Sequence, residues 1–413
     1  MKKLLKLSIF LIILFSGFQL YSMPINKIGG VSLEAIKQVF FLYFLIIILF
    51  SQFLRNKRIQ FNKHAFNIPL ILFFCFLIFG LLYTPNYFCG LVDIFKILYV
   101  IISFLIFIKF FSTYYKIIDV FSFIDKTIKF VFCVFSVGIV INVLLGKYIS
   151  SDTGGFLISG LSGRALGAMF SSILTLYFLN QYFFLKRFHY VILFGLGSVI
   201  VLFSYSRISI FSWLLSIFII CIWHRRIKFL ILIFCIGLIL FMSVKNYYFK
   251  EVFIGDIESI ADIKGMTFLE LIRSIRLSGR ITLWNETITG FLHSPIWGNG
   301  TGHSNFVVKS VTGTIEQVHS DYLKILSDLG VIGLSLYLVI YLNMFKKARQ
   351  IYLSDKIFFR KPYIIFLITL FQILLFSFTD NVISYGPYLL IYLFLFYVIL
   401  IYWRNHQIKQ RKS

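Results

Sequence analysis

Long apolar runs separated by short polar punctuation make up most of this 413-residue chain. The runs are about 18 to 25 residues long, the length a helix needs to cross a hydrocarbon layer of about 30 Å. With their Gly, Pro and charged boundaries they predict about twelve spans. These lie near residues 4–22, 36–54, 68–83, 91–109, 127–145, 165–185, 189–203, 207–223, 229–244, 320–343, 363–379 and 387–403. The expected fold class is an all-α polytopic membrane protein of about 12 transmembrane helices, a single integral membrane domain over residues 1–413. The first run follows Lys2, Lys3 and Lys6 like a signal peptide, but no small-residue cleavage site precedes Met23, so a retained helix is expected.

One connection departs from this rhythm. Residues 245–318 join the ninth and tenth spans and carry Glu251, Asp256, Glu258, Asp262, Glu270, Glu286 and Glu316. Connections this long are functional or disordered as a rule. Here Phe268, Leu269, Leu271, Ile272, Ile275 and Leu277 recur at helical spacing, which argues against disorder. They predict an amphipathic helix on the membrane–water boundary, with Arg273 and Arg276 on or beside its polar face.

Composition agrees with a membrane protein: 59% of residues are hydrophobic and only 14% are charged, against about 25% charged in soluble domains. The net charge of +24 raises a nucleic-acid reading. Distribution excludes it, because Lys and Arg are scattered through short loops without a nucleic-acid-binding module. The positive-inside rule accounts for them instead. One set of alternate loops holds Arg55, Lys57, Arg58, Lys63, Lys109, Lys116, Lys126, Lys129, Lys186, Arg187, Arg225, Arg226, Lys228, Lys346, Lys347, Arg349, Lys356, Arg360 and Lys361. The opposite short loops hold only Lys27, Lys37, Lys147, Arg164 and Arg207. That asymmetry predicts both termini in the cytoplasm and the 245–318 loop outside.

Cysteine adds little. Cys75, Cys133, Cys221 and Cys235 lie in apolar runs and Cys89 in a short loop, without zinc-ligand spacing or a disulfide framework, so no metal, cofactor or disulfide is expected.

The topology gathers four polar residues on the outer side. Arg164 stands in LSGRALG at the start of the sixth span, Arg207 in SYSRIS between two short spans, Arg280 in SGRITLW and His319 in VHSDYL before the tenth span. Arg207 is the most telling singly, since a cation at membrane depth is expensive unless it faces protein or water; the bland alternative is a snorkelling anchor to lipid head groups. Arg164 and Arg280 read equally well alone as interfacial arginines. Together the guanidinium groups suit bidentate binding of phosphate oxygens, and a diphosphate is the natural ligand. His319 can exchange a proton near neutrality, and a helix N-terminus there disfavours a cation. A capping histidine is the competing reading; His293 and His303 compete for the role of base, and Asp321 and Glu316 are nearby as orienting carboxylates for His319 or alternative bases. In SPIWGNGTGHSNF, Gly298, Gly300 and Gly302 follow no strand, so a tight turn packed against the helices is expected rather than a phosphate loop.

The ordered segments SGRITLWNETITGFLHSPIWGNGTGHSNF and HSDYLKILSDLGVIGLSLYLVIYL, with SYSRIS and LSGRALG before them, resemble the O-antigen ligase/polymerase superfamily. Spans six to ten carry the resemblance; spans one to five match in hydropathy alone. It implies a GT-C-like, metal-independent, inverting glycosyltransferase of the bacterial inner membrane, acting on a glycan carried by undecaprenyl diphosphate at the periplasmic face. Carried onto this sequence, Arg207 and Arg280 would bind the diphosphate, Arg164 would add a contact, and His319 would be the catalytic base. Ser320 stands where relatives commonly have Asn. A polymerase takes a second lipid-linked glycan as acceptor, a ligase takes lipid A–core, and a chain-length regulator is a further implied partner. The Phe, Ile, Lys and Asn bias leans toward a polymerase. A flippase or transporter is the rival from another class, although no internal repeat is visible.

Overall fold

The computed structural model describes residues 2–16, 27–28, 31–32, 37, 42–47, 68–113, 117–145, 164–204, 206–226, 280–312, 318–380, 382–383 and 388–410. The expected amphipathic helix at 268–277, Glu316 and the ninth apolar run lie outside the described residues. Among those described, the chain is helical apart from a two-residue antiparallel pair, β1 (Lys27–Ile28) with β2 (Val31–Ser32). In order the helices are α1 (Lys2–Ser16), α2 (Ile68–Gly80), α3 (Tyr87–Thr113), α4 (Ile117–Leu144), α5 (Arg164–Leu185) and α6 (His189–Phe203). They continue with α7 (Arg207–Trp223), α8 (Arg280–His293), α9 (His303–Thr312), α10 (Asp321–Ser354), α11 (Lys356–Thr379) and α12 (Tyr388–Gln410).

Segments Tyr87–Phe111, Val120–Leu144, Ala165–Leu185, Asp321–Ser354 and Lys356–Thr379 are long and apolar enough to cross a membrane. Shorter apolar helices, such as Ile68–Tyr83 and Arg207–Trp223, pack with them. The chain is a polytopic α-helical membrane protein.

Sequence explains the packing. Every side chain from Leu389 to Tyr402 is buried, because this stretch of α12 is apolar on all faces and can only sit inside a bundle. It touches α1, α3, α10 and α11. The tenth apolar run was expected to end near residue 343, yet α10 continues to Ser354. The polar residues end the apolar run without ending the helix: Met344, Ala348 and Ile351 stay buried on one face while Lys346 and Arg349 are exposed. Helix α10 is also broken at Gly330, whose φ of 63° and ψ of −165° leave the helical region.

Three contacts define which helix ends meet. Gln372 of α11 donates to Ser172 of α5. Lys361 Nζ, near the start of α11, lies 5.8 Å from the centroid of the Phe184 ring near the end of α5, so the two helices run antiparallel. Arg164, about 12 Å back along α5, and Thr379, about 10 Å forward along α11, therefore lie toward the same end. Arg360 near the other end of α11 donates to the Trp223 carbonyl that closes α7. The start of α7 at Arg207 therefore also lies toward the Thr379 end.

Candidate functional site

That end of the bundle is organised around the short turn after α11. His319 sits just before Ser320, whose side chain caps α10 by accepting from the Leu323 amide. The cap holds the helix start and leaves His319 outside it with φ of +57°, a left-handed conformation uncommon for a non-glycine residue. Its Nδ1 lies 3.3 Å from Asp380 Oδ1. The imidazole is 27% exposed and the carboxylate 3%, so a buried acid orients a ring that still reaches the surface. With Nδ1–H directed at Asp380, Nε2 is the nitrogen left to accept a proton.

Arg280, the first residue of α8, donates from Nη1 to the Thr379 carbonyl at 2.6 Å. It thus docks one residue away from the partner of His319. Four residues on, Trp284 Nε1 donates to the Val318 carbonyl at 2.9 Å, tying α8 to the residue before His319. Leu283, Val308 and Val318 form a small apolar cluster beneath this junction. Arg280 and His319, thirty-nine positions apart by number, are thereby brought to the same turn.

Arg207 opens α7 after Ser206 and is half-buried. Ser206 Oγ contacts Ser209 Oγ at 2.8 Å within that first turn. Arg164 opens α5; its side chain lies outside the described residues. Both helix starts lie toward the Thr379 end, the end at which Arg280 and His319 meet the turn.

The glycine segment is a tight turn, as expected, and it fills the break in α10. Asn299 and Gly300 amides donate to the Ser327 and Asp328 carbonyls, and Val331 and Ile332 amides donate to the Pro295 and Ile296 carbonyls. The peptide groups that Gly330 frees from the helix are paired with this turn instead. A Cβ on Gly330 would come within 2.3 Å of the Ile296 carbonyl oxygen, and one on Gly298 within 2.4 Å of Asp328 backbone. Below the turn, Lys324 Nζ lies 2.7 Å from Asp93 Oδ2, 3.2 Å from Asp328 Oδ2 and 3.3 Å from Ser304 Oγ. Asp328 also accepts the Ser304 amide at 2.6 Å and the Gly302 amide at 3.1 Å, capping α9.

The competing histidines are placed differently. His303 is held with Nδ1 3.1 Å from Ser327 Oγ. Burial pulls its pKa below the usual 6.5, with Asp328 opposing and His293 adding to the fall. His293 closes α8 and is exposed. Asp321 does not orient His319; its carboxylate faces Ser377 and Ile383. The orienting acid is Asp380, which sequence reading missed because the pairing joins positions 61 apart. Asp93, Lys324 and Asp328 were also missed, although charges inside apolar runs are a signal that could have found them.

These residues fall largely in one recognisable stretch. Residues 191–338 match the family described as O-Antigen ligase, in line with the resemblance that the motifs carry. The match includes Arg207, Arg280 and His319 and stops short of Arg164 and Asp380. No curated protein matches the sequence.

Proposed function

We propose that this chain is a metal-independent, inverting glycosyltransferase that joins undecaprenyl-diphosphate-linked repeat units into a surface polysaccharide. It acts at the periplasmic face of the bacterial inner membrane, with about twelve spans, both termini cytoplasmic and the 245–318 connection outside. The observation that carries this reading is the meeting of Arg280 and His319 on the Thr379–Asp380 turn.

Asp380 holds the His319 ring, and Nε2 takes the proton of an acceptor sugar hydroxyl. The hydroxyl oxygen attacks the anomeric carbon from the face opposite the diphosphate, whose C–O bond breaks. Negative charge grows on the departing diphosphate, and Arg207 and Arg280 stabilise it. One of the five guanidinium N–H groups of Arg280 is used on Thr379, so the fork is oriented and the others serve the phosphate oxygens. Arg164 adds a further cation at the same end. The acceptor is a second lipid-linked glycan, and a chain-length regulator is the expected protein partner.

The description of the matched family favours a second reading, a ligase that uses the same machinery with lipid A–core as acceptor. The lean toward a polymerase rests on residue bias alone. Nothing found favours a flippase or transporter. Gene deletion followed by lipopolysaccharide electrophoresis separates the two transferases. A single repeat on core marks a lost polymerase; bare core with accumulated lipid-linked polymer marks a lost ligase; unchanged chains overturn both.

A further inference from the structure

An acidic residue in the first turn of a helix ordinarily faces water and complements the helix dipole. Asp321, first in α10, does neither job in that way. Asp321 is fully buried at 0% exposure, and its carboxylate turns to the segment that follows α11. Oδ2 accepts the Ser377 hydroxyl at 2.9 Å, and Oδ1 and Oδ2 lie 3.2 Å and 3.1 Å from the Ile383 amide nitrogen. Those donors stand on either side of Thr379 and Asp380. One carboxylate therefore ties down both ends of the segment whose middle receives Arg280 and His319.

Burying a carboxylate is costly unless hydrogen bonds replace its water, and here the donors, Ser377 and Ile383, belong to that one segment. We infer that Asp321 is the positioning residue of the His319–Asp380 pair, a clamp that fixes the Ser377–Ile383 segment so that the Asp380 carboxylate meets the imidazole. The arrangement also explains why Asp321 lies two residues beyond His319: the same helix start carries the base and the anchor of its partner. The effect on turnover rests on the catalytic reading above; the clamp itself is a structural claim.

Hydrogen–deuterium exchange on the full chain in lipid nanodiscs reads the clamp without any reaction. Asp321→Ala speeds exchange in the peptide covering 377–387, while Asp321→Asn, whose amide oxygen still accepts the Ile383 N–H, keeps the wild-type rate. Unchanged exchange in Asp321→Ala overturns the clamp. Turnover is measured with lipid-linked glycan extracted from the deletion strain. Asp321→Ala lowers kcat by about 10²-fold, the size of a misplacement near 1 Å. Asp321→Asn recovers most of that loss, and Asp321→Ala/Asp380→Ala is no slower than Asp380→Ala alone. Fully additive losses, or an Asn variant as slow as the Ala variant, overturn the positioning role. If Asp321→Ala does not accumulate, Ser377→Ala removes one anchor and is expected to give faster exchange and a severalfold loss of kcat; wild-type behaviour there overturns the proposal. A His319→Ala variant with wild-type turnover sinks the catalytic reading instead, and the exchange result still decides the clamp.

Discussion

His319 and Asp380 stand 61 positions apart in the chain and 3.3 Å apart in space, with the carboxylate buried and the imidazole partly open. The pair fits the proposed general base and its orienting acid: among the described residues the ring is paired through Nδ1, and the backbone of His319 is held in a left-handed conformation. His319→Ala is expected to lower transfer by about 10² to 10⁴-fold while protein abundance is kept. Asp380→Asn, which keeps a hydrogen-bond partner for Nδ1, is expected to lose less. Glycan chain-length ladders and protein quantified from the same membranes check both, and wild-type ladders in His319→Ala would refute the assignment.

The arginines are expected to behave as forks rather than as point charges. Arg280→Lys keeps the charge but cannot serve the Thr379 carbonyl and a phosphate in one plane, so it should lose most of the activity that Arg280→Ala loses. Arg207→Ala should abolish long chains at normal abundance. Membrane assays with purified lipid-linked donor test this; full activity of Arg280→Lys would argue for simple charge attraction.

Gly330 gives a prediction about folding. A side chain there meets the Ile296 carbonyl oxygen at 2.3 Å and is forced into a backbone region that costs about 1–3 kcal/mol for ordinary residues. Gly330→Ala is therefore expected to lower the melting temperature in detergent and the yield of folded protein. Equal loss from Gly195→Ala, where a Cβ meets nothing within 4 Å, would remove the significance of the result.

The fold carries a pH dependence at its other end. Burial first, then Arg360, Lys186 and Arg226, push His224 down from 6.5 to about 4, and its Nε2 lies 3.0 Å from Asn180 Oδ1. As pH falls from about 6.5 toward about 4, the unfolded chain takes up a proton that the folded one refuses, so stability declines through that window and is whole above it. Thermal melts across this range should show the decline, and His224→Asn should flatten it.

Much of the bundle was legible because apolar density survives any arrangement: α12 is apolar on every face and had to be buried. The separation of the two short runs at Ser204–Arg207 was legible too, since a cation in mid-helix is penalised. The tight turn was legible from its glycines, and His319 and Arg280, singled out by local chemistry and motif order, are brought to one turn. Asp380 was not, because the pairing depends on where α11 ends relative to α10, which no local pattern encodes. Asp321 was noticed for its nearness in sequence and given the wrong partner, since adjacent residues at a helix start point in different directions. The far end of α10 was placed too early because apolar length measures membrane crossing and not helix length.

The break at Gly330 also bears on how the protein is made. Helix α10 leaves four peptide groups open around Gly330, and residues 295–300, synthesised earlier, supply their partners. A membrane interior offers no water to stand in for them. The helix that begins beside His319 is thus completed by the turn that precedes it in the chain, and a fault in that turn is expected to surface in assembly, as a chain that fails to fold and does not accumulate.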